Sequence, residues 1–195
     1  MAKLVLISGG ARSGKSTYAQ QFAEAYVGPR LFIATAVSFD EEMRERIEKH
    51  RRFRERAAWT TVEEPTDLAG AMERAAGFPV VVVDCLTLWV NNLLWDASCG
   101  SDETGRSLSE DGMVTRCEEL LAASQQHEGT VIFVTNEVGL GIIPDNPAAR
   151  LYRDLLGRCN QAVAAQADAV LFMISGLPLE LKGSAHLDPS RRDQA

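Results

Sequence analysis

A short apolar run, Leu4-Val5-Leu6-Ile7, passes directly into GGARSGKST, Gly9 to Thr17, and then into residues with helical spacing. Few folds accept this junction. The run Lys3 to Ser8 ends on two glycines and reads as a buried strand. Tyr18, Phe22 and Tyr26 recur every fourth residue, which predicts a helix over Thr17–Tyr26 that Gly28-Pro29 stops. Between strand and helix, Gly9, Gly14, Lys15 and Ser16 complete the phosphate-binding loop pattern. Glycines let successive backbone N–H groups turn toward anionic oxygens, and the new helix adds its positive end. Lys15 has the reach for the β- and γ-phosphates of a triphosphate, and Ser16 offers a hydroxyl to Mg²⁺. Gly9, Gly10, Ala11, Arg12, Ser13, Gly14, Lys15 and Ser16 are therefore candidate nucleotide contacts. The alternative, a chance glycine-rich turn, requires strand, motif and helix to fall in order by coincidence.

The rest of the chain repeats the alternation. RLFIATA (30–36), VVVVD ending at Asp84, TVIFVT (130–135) and AVLFMI (169–174) read as strands, the valine run as one buried on both faces. Residues 113–127 and 148–167 read as helices. Strands alternating with helices predict a P-loop NTPase-type, three-layer α/β fold with a mostly parallel central sheet and right-handed crossovers. With 195 residues, one domain over 1–183 is expected, followed by a disordered tail, 184–195, with few large apolar groups. Cys99 to Gly112, rich in Gly, Ser, Asp and Glu, reads as a mobile loop. Asp84, after four valines, is the candidate carboxylate for Mg²⁺ beside Ser16, or else a solvent-facing cap of a loop.

Composition excludes other classes. The net charge of −7 argues against a protein that coats nucleic acid. No stretch has the ~20 consecutive apolar residues of a membrane helix, and the beginning has no signal-peptide pattern. The four cysteines, Cys85, Cys99, Cys117 and Cys159, lack metal or redox spacing and read as thiols in a reducing compartment. The cytoplasm is the expected location.

The segment SFDEEMRERIEKHRRFRER, starting at Ser38, opens with a capping box, Ser38 and Glu41, and runs from acidic to basic, as a helix dipole favours. Met43, Ile47, His50 and Arg54 share one helical face. Lys49, Arg51, Arg52, Arg54 and Arg56 surround His50 with positive charge. This is either a solvated basic face or the setting of a nucleophile. In the second case, the cations depress the imidazole pKa and offset charge developing on a phosphate. A simple kinase needs no covalent histidine, so His50 matters only if a second kind of transfer occurs.

The segments GGARSGKS, IATA, DEEMRERIEKHRR, WTTVE, DCLTLWVNNLL, VTNEVGLGIIPDNPAARLYRDLLGRCNQ and ADAVLFMISGLPLELK together resemble one family over roughly residues 4–183. It is the bifunctional adenosylcobinamide kinase / adenosylcobinamide-phosphate guanylyltransferase family of cobalamin biosynthesis. The resemblance implies two reactions. A nucleoside triphosphate, ATP or GTP, phosphorylates the aminopropanol hydroxyl of adenosylcobinamide. A histidine then attacks the α-phosphate of GTP, releases pyrophosphate and passes GMP to adenosylcobinamide phosphate, giving adenosylcobinamide-GDP. The family histidine falls on His50, where some relatives carry a second histidine at the position of Lys49. His50 and Lys15 are then catalytic. Nucleotide contacts extend to Thr35, Arg51, Arg52, Phe53, Arg54, Glu63 and Asp84, with Ser16 and Asp84 on the metal. Family members form ring-like homo-oligomers, which implies a homotrimer here. Asp84 stands where the family often has Glu, and either carboxylate serves a metal. Without the resemblance, Glu63 reads as a surface acid.

Asn136 and Glu137 follow a strand and read as facing the active site or the corrinoid, or as loop-fold residues. Asn91 and Asn92 read similarly, or as helix caps, while Trp89 and Trp95 face either the corrinoid or the core. The alternatives in function are a P-loop small-molecule kinase without covalent guanylylation and a nucleotide-gated switch that acts through a partner.

Overall fold

The computed structural model describes residues 1–38, 41, 44, 45, 48, 51, 52, 54, 59–98 and 108–183. Seven strands form one sheet: β1 (Lys3–Gly9), β2 (Arg30–Ala34), β3 (Trp59–Glu63), β4 (Val80–Asp84), β5 (Thr130–Val134), β6 (Ala169–Ile174) and β7 (Leu177–Lys182). Their order is β3-β2-β4-β5-β1-β6-β7. Every neighbouring pair is parallel except β6 and β7. The helices are α1 (Lys15–Glu24), α2 (Leu68–Ala71), α3 (Leu86–Ser98), α4 (Glu110–Gln125) and α5 (Pro147–Gln166), with a 3-10 turn at Met72–Ala75.

Alternation along each strand builds two cores. Leu4, Leu6, Val81, Val83, Val131 and Phe133 point to the face covered by α2, α3, α4 and α5. Val5, Ile7, Val80, Val82, Ile132 and Val134 point to the face carrying Ala19, Phe22 and Ala23 of α1. The valine run is apolar throughout because both its faces are buried. The chain moves from β1 toward the β3 edge through α1, and from β4 through β5 to β6 through helices on the other face. Opposite directions on opposite faces are what a single crossover handedness demands. All six parallel strands deliver their carboxyl ends to one edge.

Two strands escape the sequence reading. WTTVE is β3, an edge strand with Trp59 buried and its ring edge-on to Phe32 at 5.9 Å. LPLELK is β7, the antiparallel edge, with every residue exposed. Asn91 and Asn92 lie inside α3 and cap nothing, which corrects that alternative. The expected loop over 99–112 is also shorter. Glu110 to Gly112 form the first turn of α4, because the Ser109 side chain accepts a hydrogen bond from Gly112 N and two acids face the helix's positive end. Residues 99–107 and the expected tail, 184–195, lie outside the described residues. Cys117 and Cys159, distant in sequence, meet in the core between α4 and α5 as free thiols, while Cys85 is half-buried.

Asn92 and Trp89 satisfy their polar groups within the core. The Asn92 amide donates to Thr35 O at 2.9 Å and to Pro65 O at 3.0 Å, tying α3 to the ends of β2 and β3. Trp89, 2% exposed, packs in the core and donates its indole N–H to Thr66 O. Asn92→Leu strands the buried Thr35 carbonyl and the partly buried Pro65 carbonyl and should cost about 2–3 kcal/mol, read as a lowered urea midpoint with unchanged m-value.

At the opposite edge, His127 follows α4, and its Nε2 is buried without a hydrogen-bond partner among the described residues. Burial lowers its pKa below 6.5, opposed by a hydrogen bond with the Phe78 backbone and by Glu128. The unfolded chain therefore binds the proton more readily, so this group stabilises the fold above its unfolded pKa and loses that contribution as pH falls toward the folded value. Thermal melts between pH ~7 and ~5 should show a steeper loss of Tm for the wild type than for His127→Gln. Parallel curves would contradict this.

Candidate functional site

β1 ends at Gly9, whose φ of 147° and lack of Cβ let it lie against β6, since a Cβ there would sit 2.5 Å from Met173 O. The loop that follows turns through left-handed Arg12 (φ 56°) and Gly14 (φ 94°), with Ser13 N donating to Gly10 O at 3.3 Å. A non-glycine residue in this region is uncommon and belongs to turns that aim consecutive amides at an anion. α1 begins at Lys15 with no acid in its first turn, so its positive end is not offset. Gly176 N, from the β6–β7 turn, donates to Ser13 O at 3.0 Å and fixes the loop from outside. Ser13 and Lys15 are buried, Gly10, Gly14 and Ser16 are half-buried, and Ala11 and Arg12 are exposed.

Lys15 is 8% exposed, and its ammonium donates to Gly10 O and, at 3.4 Å, to Ser13 Oγ. Burial lowers its pKa, while Asp84 and Cys85 at the end of β4 raise it. The Cys85 thiol is pushed up to about 11 by burial and by Asp84, so it stays neutral. Asp84 is thus the anionic neighbour of Lys15. Thr35 holds this turn. It is fully buried, donates its hydroxyl to Cys85 O at 2.8 Å and accepts from Cys85 N at 2.7 Å. Its N–H donates to Asp84 O at 3.2 Å. Thr35, a sequence candidate for a nucleotide contact, is committed here to the main chain that carries Asp84.

The exit of β5 closes on the same place. Thr135 N donates to Ile7 O and Glu137 N to Gly9 O, each at 3.0 Å. Thr135 Oγ1 donates to Asn160 Oδ1 at 2.7 Å, and Asn160 Nδ2 donates to Asn136 O at 3.0 Å. Asn136 N donates to Thr87 Oγ1 at 2.7 Å, and the Tyr152 hydroxyl reaches Thr87 O at 3.3 Å. Burial, with Cys85 beside it, pushes Tyr152 up to about 12. Asn136 and Glu137 therefore sit at the carboxyl edge, where open sheets bind ligands.

The basic segment is described at seven positions, Glu41, Arg44, Glu45, Glu48, Arg51, Arg52 and Arg54, all helical. Arg51 pairs with Glu63 at the end of β3, at 3.6 Å. Arg52 pairs with Glu48 at 3.0 Å on the surface, where such pairs contribute little. Arg54 is 4% exposed, stacks over the Phe32 ring at 4.0 Å and lies 3.4 Å from Thr61 Oγ1. Phe32 and Thr61 are paired mid-strand residues, so Arg54 packs on the sheet away from the strand ends. Met43, Ile47, His50 and Phe53 lie outside the described residues.

Among the described residues no group of three or more His, Cys, Asp or Glu is arranged to hold a metal. The donors present, one carboxylate (Asp84) and one hydroxyl (Ser16) beside a phosphate loop, suit Mg²⁺, which keeps most of its waters and takes phosphate oxygens. Sequence reasoning did not single out Thr87, Tyr152, Asn160 or Gly176. Each lies in a segment that carries the family resemblance, but each acts through tertiary contact that no local pattern shows. No helix among the described residues is long and apolar enough to cross a membrane.

A buried strand, a left-handed glycine loop, a sequestered lysine and a facing carboxylate occur in many nucleotide-handling proteins, so kinship decides among them. The family model described as "Cobinamide kinase / cobinamide phosphate guanyltransferase" matches residues 5–181. The chain is 39% identical to the bifunctional adenosylcobalamin biosynthesis protein CobU of Escherichia coli (strain K12) over 185 residues, 92% of this chain and 99% of the relative. It is 42% identical over 180 residues to the bifunctional adenosylcobalamin biosynthesis protein CobP of Pseudomonas aeruginosa, covering 91% of this chain and 96% of the relative. Salmonella typhimurium CobU is 37% identical over 185 residues, with 92% and 99% covered. With nearly the whole described sheet inside the match, this chain belongs to the cobinamide kinase / cobinamide phosphate guanyltransferase family.

Proposed function

We propose that this chain carries out both transfers at one triphosphate cradle: phosphorylation of adenosylcobinamide, then guanylylation of the product through His50. The observation that carries the reading is Lys15, buried in the loop between Gly9 and Ser16 and facing Asp84. In the first reaction the acceptor hydroxyl oxygen bonds to the γ-phosphorus of ATP or GTP. The bond from that phosphorus to the β–γ bridging oxygen breaks, the nucleoside diphosphate leaves and the hydroxyl proton is released. The loop amides and Lys15 hold the phosphates in line. Ser16 and Asp84 would hold Mg²⁺, which when bound would add to the neutralisation of phosphate charge.

In the second reaction an imidazole nitrogen of His50 bonds to the α-phosphorus of GTP, and pyrophosphate leaves. An oxygen of adenosylcobinamide phosphate then attacks that phosphorus, the nitrogen–phosphorus bond breaks and adenosylcobinamide-GDP forms. Support comes from the chain directly after His50. Arg51 is tied to Glu63 at the carboxyl end of β3, and Arg54 is packed on Phe32. In this reading Arg51 and Glu63, at the carboxyl end of β3, belong to the guanylyl step together with Arg52 and Phe53, Arg54 anchors the segment on Phe32 away from the strand ends, and Thr35 serves by positioning Asp84. The reading includes a homotrimer, supported by exposed Leu140, Ile142 and Ile143 after β5. It also includes a cytoplasmic setting, in keeping with the free thiols of Cys85, Cys117 and Cys159.

The two half-reactions separate the roles. His50→Ala should abolish GMP transfer to cobinamide phosphate while leaving ATP-dependent cobinamide phosphorylation within about twofold of the wild type. Equal loss of both would make the segment structural. Lys15→Ala should lower kcat/KM of both steps by about 100- to 1000-fold. Full-rate guanylylation in Lys15→Ala would require a second nucleotide site and contradict the shared cradle.

A further inference from the structure

Beside the phosphate loop, on the sheet face that α5 covers, runs a groove of about 590 Å³. Ligand clefts fall in this size range, a few hundred to about a thousand Å³. Its floor is Leu6, Val170 and Phe172 of β1 and β6, its wall includes Gly157 and Gln161 of α5, and Ser8 and Glu137 line it too. The last two place it next to the loop. Ser8 directly precedes Gly9, and Glu137 N donates to Gly9 O. Ser8 is 8% exposed, and its hydroxyl makes no hydrogen bond among the described residues. It is therefore an uncommitted polar group at the groove's inner end. Gly157 sits in the interior of α5, where a Cβ would meet nothing within 4 Å. Glycine is poorly suited to a helix interior, and here no packing constraint explains it. What its bare surface does is keep the wall low.

We infer that this groove takes one edge of the corrinoid acceptor, the rest of the macrocycle lying outside it, with Ser8 and Glu137 at the end where its hydroxyl meets the γ-phosphate. The inference rests on the function proposed above and adds the acceptor's location. A corrinoid is a broad apolar macrocycle fringed with primary amides. It needs an apolar floor and a polar rim: Phe172 and Val170 form the floor, and Gln161, Glu137 and the ion pairs Arg158–Glu110 and Arg153–Asp154 form the rim. Asn160 spends both ends of its amide on Thr135 and Asn136, so it shapes this wall from within the fold. Glu137 is half-buried, and its Oε1 accepts from Gly139 N at 2.8 Å, which holds the carboxylate in place beside the loop. Ser8 and Glu137 are positioned to accept the hydrogen bond of an incoming hydroxyl.

The test measures steady-state ATP-dependent cobinamide phosphorylation with each substrate varied in turn. Gly157→Leu narrows the groove and should raise the KM for cobinamide by about tenfold or more, with KM for ATP and kcat within about twofold. Gln161→Ala, on the exposed wall, should raise the cobinamide KM by about threefold and decides the question if Gly157→Leu does not fold. Wild-type-like cobinamide KM in the folded variants, with the wild type active, would overturn the groove assignment alone. So would a change confined to the sedimentation coefficient, because the groove would then seat a second copy of the chain. Absence of cobinamide turnover in the wild type would overturn both the groove and the reading beneath it.

Discussion

The close approach of two strand ends governs this molecule. Gly9, at the end of β1, presses on the Met173 carbonyl at the end of β6, where any Cβ would stand 2.5 Å from the oxygen. A few residues on, Gly14 would meet Gly176 Cα at 3.3 Å if it carried a side chain. The loop between these glycines is therefore shaped by the sheet edge and the β6–β7 turn, and Gly176 N seals it on Ser13 O. The start of α1, the burial of Lys15 and its place beside Asp84 all follow from that clamp.

The electrostatics of the site follow from burial. Lys15 is withdrawn from water and leans on loop oxygens, which leaves a cation in a low-dielectric setting where an entering triphosphate would interact strongly. At the end of β4, the Cys85 thiol and the Tyr152 phenol are held neutral by the same burial, so Asp84 is the negative charge whose field reaches Lys15. Thr35 keeps that carboxylate in register by gripping the main chain of Cys85 from the end of β2. A phosphate-handling centre built this way depends little on loops. Its parts hang from strand ends in a sheet buried on both faces.

Much of this was legible because the strong signals are local. The glycine spacing, the valine run and the periodicity of α1 and α5 each follow from backbone geometry or two-sided burial within a few residues. β3 and β7 were not legible. An edge strand is buried on fewer sides, so WTTVE and LPLELK carry no continuous apolar run. The Thr87–Asn136–Asn160–Thr135 chain of hydrogen bonds spans α3, β5 and α5, and no sequence pattern announces a bond between residues so far apart. Arg54 shows the limit of charge counting. It stood among surface arginines in the sequence, yet it is buried on an aromatic ring, because a guanidinium stacks where a solvated charge would not.

The central claim is that one cradle presents two different phosphorus atoms of a triphosphate, the inner one to a histidine. Intact-protein mass spectrometry with peptide mapping, after incubation with GTP and Mg²⁺ and without corrinoid, tests it directly. The account predicts one GMP per chain, acid-labile and mapped to the peptide containing His50. An unmodified chain, or a GMP attached to any other residue, would contradict it.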